Sequence, residues 1–113
     1  MSIISGLRSD KWRTVSSDIV GGGHFDADSV PLNLYAPTKY YVELKSVAES
    51  VFKAFELYGS RSGSDSVSDC VYARVGDAIS TEAILEVVFG TVRLRLKNNE
   101  TFPVSVRVTK LIN

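Results

Sequence analysis

Thr38-Lys39-Tyr40-Tyr41-Val42-Glu43-Leu44-Lys45-Ser46-Val47-Ala48-Glu49-Ser50-Val51-Phe52-Lys53-Ala54-Phe55-Glu56-Leu57-Tyr58-Gly59 is the segment on which the fold class turns. It follows Pro37, and the Thr38 hydroxyl suits a helix N-cap. Leu44, Val47, Val51, Phe55 and Tyr58 recur at steps of three or four, Ala48 and Phe52 widen the stripe, and Gly59 supplies a stop. Glu43, Lys45, Glu49, Lys53 and Glu56 fall largely on the other side, with Glu49 four residues before Lys53 in the supportive order. This reading predicts one amphipathic helix with a solvated charged face. A second reading stays open, because Tyr40 to Leu44 also fits a strand, with a helix beginning near Ser46.

The other strong pattern is the ending, Gly90 to Asn113. Thr91-Val92-Arg93-Leu94-Arg95-Leu96-Lys97 alternates at the strand period, Asn98-Asn99-Glu100-Thr101 offers turn chemistry, and Phe102 to Thr109 alternates again. The expectation is a C-terminal β-hairpin with Val92, Leu94, Leu96, Val104, Val106 and Val108 on one face. Arg93, Arg95, Lys97 and Arg107 would line the other.

Between and before these segments the signals are shorter. Residues 1–10 read as a flexible arm. Trp12 to Val20 mixes aromatic and β-branched residues and predicts a strand, stopped by Gly21-Gly22-Gly23. Asp26 to Pro37 reads as extended or loop-like, since Pro31 and Pro37 bar a helix. Residues 60–66, Ser-Arg-Ser-Gly-Ser-Asp-Ser, form a flexible loop by composition. Val67 or Ser68 to Val75 predicts a strand, and residues 81–89 fit either a short helix or a buried strand. Together these elements predict a single α+β domain spanning residues 1–113, one central amphipathic helix packed on an antiparallel sheet that ends in the hairpin 90–113.

With 113 residues, 44 % apolar and 23 % charged, the chain has enough material for a core without staples. One cysteine excludes an internal disulfide and a cysteine-type zinc site, and Cys70, between Asp69 and Val71, reads as a small buried hydrophobe. No secretory signal or membrane span is expected, since the longest apolar run, Ala83 to Phe89, is broken by Glu86. A cytoplasmic protein is expected, or a virion component if the source is viral. The formal charge is zero, yet residues 1–88 carry −4 and residues 89–113 carry +4. Such polarity assists encounter and orientation between copies.

Chemistry-bearing patterns are few. His24, the only histidine, would share a strand face with Asp26 and Asp28, a spacing that gathers ligands for a divalent cation, although three residues in a glycine-bordered loop make a weak motif. No metal or other cofactor is therefore predicted. Nucleophilic catalysis lacks a Gly-x-Ser-x-Gly elbow and a histidine beside Cys70, and Gly21 to Gly23 is not a phosphate loop. The remaining binding surface is the basic face of Arg93, Arg95, Lys97 and Arg107, where cations at alternate strand positions stand about 7 Å apart, close to phosphate spacing. Stacking residues are missing from that face unless the fold brings Tyr40, Tyr41 or Tyr72 over it. Outward cations also serve to blunt sheet edges. The sequence therefore predicts a non-enzymatic structural or assembly subunit that forms homo-oligomers, such as a small coat, decoration or connector component of a virion. The alternative is a nucleic-acid-binding module, and an acidic protein surface is a further partner class.

Overall fold

The structure, a computed structural model, describes residues 12–112. Its strands are β1 (Trp12–Ile19), β2 (His24–Pro31), β3 (Thr38–Ser46), β4 (Val51–Arg61), β5 (Val67–Gly76), β6 (Thr81–Val88), β7 (Thr91–Asn98) and β8 (Val104–Ile112), with one 3-10 turn at Leu32–Leu34. They form two antiparallel sheets, β1-β8-β3-β4-β5 and β2-β7-β6. The inner faces share a core that includes Tyr40, Val42, Leu44, Phe55, Leu57, Leu94, Leu96, Val106 and Val108. The arm expected at residues 1–10 lies outside the described residues.

The expected α+β architecture is overturned: the segment read as a central amphipathic helix is the hairpin β3–β4, closed by residues 47–50. Tyr40, Val42 and Leu44 point inward at the strand period, and Phe55, Leu57 and Gly59 continue the inward row on the way back. The stripe at steps of three or four crosses the turn and mixes both faces, so that Val47, Phe52 and Tyr58 stand exposed. Local periodicity could not separate the readings. β8, distant in sequence, flanks β3, and β5, the next strand along the chain, flanks β4; these partners supply the backbone hydrogen bonds that make strands the stable answer.

Gly59, expected as a helix stop, is an inward strand position. A Cβ there would come within 2.6 Å of the Tyr35 hydroxyl and within 2.6 Å of Leu85 Cδ2. The missing side chain is what lets Tyr35 lie against the sheet. Gly59→Ala is expected to destabilise the fold by about 1–3 kcal/mol through overpacking, read as a lower urea midpoint at unchanged slope.

The expected C-terminal hairpin does not form either. β7 and β8 lie in opposite sheets: β7 sits between β2 and β6, whereas β8 sits between β1 and β3. The chain crosses the sandwich between them because Asn98 is bonded elsewhere. Its backbone N–H donates to Gly23 O and its carbonyl accepts from Gly22 N, while its side chain is completely buried. Nδ2 donates to Ile19 O at 3.0 Å and Phe102 O at 2.8 Å, and Oδ1 accepts from the Glu100 N–H at 2.9 Å. Val92, Leu94, Leu96, Val104, Val106 and Val108 are all inward as expected, but they face each other across the core and do not share one sheet face.

Residues 81–88 are strand β6, which settles the ambiguity of that run. Cys70 is exposed on the edge strand β5, contrary to the buried role expected for it. Among the described residues no helix is long and apolar enough to cross a membrane.

Candidate functional site

On the outer face of the three-stranded sheet, β7 presents Arg93, Arg95 and Lys97 between β2 and β6. The register sets Arg95 beside Asp26 and Arg93 beside Glu86, and both become ion pairs, Arg95 Nε to Asp26 Oδ1 at 2.7 Å and Arg93 Nη2 to Glu86 Oε2 at 3.1 Å. Lys97 is exposed between His24 and Glu82 and makes no ion pair among the described residues. Arg107 belongs to the opposite outer face, where it bonds Glu43 Oε1 at 2.7 Å. The four cations thus do not make one patch, and three already hold carboxylates. Strand alternation correctly put all four outward, but it carries no information about which sheet each strand joins.

The hydrogen bond from Arg95 holds the Asp26 carboxyl below its ordinary value of 3.8. A lowered folded-state value means that the pair's contribution is complete above that ordinary value and fades as pH falls through the lowered one. Because Asp26 is 41 % exposed, solvent screening keeps the contribution small. Asp26→Asn is expected to lower stability by about 0.5 kcal/mol at about pH 7 and by progressively less as pH falls below 3.8, measured by urea unfolding across that range.

His24, Asp26 and Asp28 do not share a face. Pairing runs Asp26 to Arg95 and then Asp28 to Leu94, so Ala27 is an extra residue in β2. This bulge turns Asp28 into the core, away from His24 and Asp26. There Asp28 Oδ2 meets Lys110 Nζ at 2.8 Å and accepts the Tyr40 hydroxyl at 2.7 Å, and the Tyr35 and Tyr40 hydroxyls lie 3.0 Å apart. Burial, with Asp28 beside it, raises the Tyr40 phenol far above its usual range, and burial raises Tyr35 as well. This polar cluster joins the two sheets. Among the described residues no three histidine, cysteine or carboxylate side chains come together as a metal-ligand set.

The outer face of the five-stranded sheet is the more distinctive surface. Tyr41 on β3, Phe52 and Tyr58 on β4 and Val75 on β5 are 42–65 % exposed. Tyr58 packs on Tyr72 of β5 with ring centroids 4.8 Å apart, and Lys39 lies 5.9 Å from the Tyr58 ring. Lys39 also pairs with Glu56 at 2.8 Å, and Glu56 accepts the Tyr72 hydroxyl at 3.0 Å. Of the tyrosines considered as stacking residues, Tyr41 and Tyr72 reach this face, together with Arg107, while Tyr40 is wholly buried. Beside them a depression of about 680 Å³ runs over β1, β8, β3, β4 and β5, lined by Asp18, Glu43, Lys45, Phe52, Val75 and Arg107 among others.

A third feature lies at the tip joining β6 to β7. Val88 pairs with Thr91, so Phe89 and Gly90 make a two-residue loop with φ of 50° and 74°. Phe89 is 102 % exposed. In the sequence Phe89 closes the apolar run 83–89, and the signal of a turn is Phe-Gly in a position that favours Asn-Gly.

No protein-family model matches the chain, and no curated protein matches it.

Proposed function

We propose that the protein is a non-enzymatic assembly subunit that associates with copies of itself. The observation carrying this reading is the aromatic and apolar outer face of the five-stranded sheet, where Tyr41, Phe52, Tyr58 and Val75 remain 42–65 % exposed. Side chains of this kind are enriched where proteins meet one another. A nucleic-acid role through Arg93, Arg95, Lys97 and Arg107 is the weaker reading, because phosphates would have to displace Asp26, Glu86 and Glu43 from three of them.

The test is size-exclusion chromatography with light scattering over a salt series, with absorbance recorded at the protein and nucleic-acid maxima. Discrete oligomers or large particles free of nucleic acid are expected. A monomer at every salt and at high protein concentration would sink the assembly reading. Co-eluting nucleic acid released by salt would move the assignment to the basic side chains.

A further inference from the structure

Phe89 is held where its backbone is strained and its side chain touches little. Both residues of its loop have positive φ, a geometry suited to Asn, Asp or Gly, and a bulky residue there costs conformational energy. The ring recovers nothing by burial within the described fold, being 102 % exposed. The neighbouring 3-10 turn is tied to the same loop by the Leu32 N–H, which donates to Gly90 O at 2.9 Å, and it leaves Leu34 69 % exposed. The result is an apolar knob at the end of the sandwich where β2 and β6 finish.

The depression on the five-stranded sheet lies toward the other end, where β1 and β3 finish and β4 and β8 begin. Phe52, Ala54 and Val75 give it an apolar wall, and Lys45 and the Glu43–Arg107 ion pair line the rest. We propose that the Phe89 tip of one copy seats in this depression of the next. This deepens the self-assembly reading and rests on it. Knob and depression lie at opposite ends and on opposite sheets of a body 22 Å through its thinnest dimension, which favours a head-to-tail series or ring over a reciprocal two-fold pair. It also gives the strained tip a purpose that the isolated fold does not supply, that of an aromatic anchor at an interface.

Opposite signs in two measurements test the proposal. Phe89→Asn relieves the backbone, so its melting temperature is expected to equal or exceed that of the parent while self-association weakens at least tenfold by light scattering. Phe89→Gly repeats the test with no side chain. The double variant Phe52→Glu/Val75→Glu changes two exposed positions in the depression and is expected to stay folded by circular dichroism and to lose association equally. Mixing Phe89→Asn with that double variant leaves one intact knob and one intact depression, and a discrete one-to-one dimer is the expected product. Undiminished association of Phe89→Asn, or failure of the mixture to give the dimer, overturns the knob assignment while self-assembly stands. A parent that is monomeric at high concentration overturns both.

Discussion

Lys110→Met is expected to lower the unfolding free energy by about 3–5 kcal/mol, among the largest single-site losses in the molecule. The Lys110 and Asp28 side chains are only 10 % and 5 % exposed and their charged atoms are 2.8 Å apart. Methionine keeps most of the lysine stem and its packing, so the loss measures the carboxylate left in the core without its cation. The Tyr40 hydroxyl still donates to Asp28 and softens the effect without removing it. In the double variant Asp28→Leu/Lys110→Met no buried charge remains, and stability is expected to return close to the parent value. Urea unfolding of both single variants and the double closes the cycle. A double variant no more stable than Lys110→Met would show that packing, and not charge pairing, governs the site.

Asn98→Ala is expected to cost about 3 kcal/mol. The side chain holds together the turn after β1, through Ile19 O, and the crossing to β8, through Phe102 O and the Glu100 N–H. Its removal leaves these backbone groups without side-chain partners and opens a small cavity at a wholly buried position. Asn98→Asp, which conserves shape, is expected to cost more at neutral pH, because it turns the two Nδ2 donors into an oxygen facing carbonyl oxygens. Unfolding midpoints of the two variants rank the effects. A loss under about 1 kcal/mol for Asn98→Ala would remove this residue from the account of why β7 and β8 part.

Both residues were visible in the chain in one respect. Asn98 continues the inward row Val92, Leu94, Leu96, and Lys110 continues Val104, Val106, Val108, so each is a polar residue where alternation calls for an apolar one. Asn98 also suits a turn beside Asn99, and the alternation expected for the second strand ends at Thr109, so local pattern marks neither residue. Alternation counted through Ala27 puts Asp28 on the wrong face, because it cannot anticipate a bulge.

By itself, the sequence determined the facing of the strongly alternating segments. Val92, Leu94, Leu96, Val104, Val106 and Val108 are inside, Arg93, Arg95, Lys97 and Arg107 are outside, and strands lie where residues 12–20, 67–75 and 91–97 predict them, to within a residue at each end. These follow from side-chain period and turn composition, which are local properties. Tertiary structure alone decided that residues 38–61 pair as strands, that β7 and β8 join opposite sheets, and that Asp28 meets Lys110 from across the core. Each depends on partners far along the chain, and an inward row looks the same whether its strand turns back as a hairpin or crosses to the facing sheet. The same physics leaves Phe89 legible only in three dimensions, since its position in an apolar run suggested burial and the two-residue turn placed it wholly in solvent.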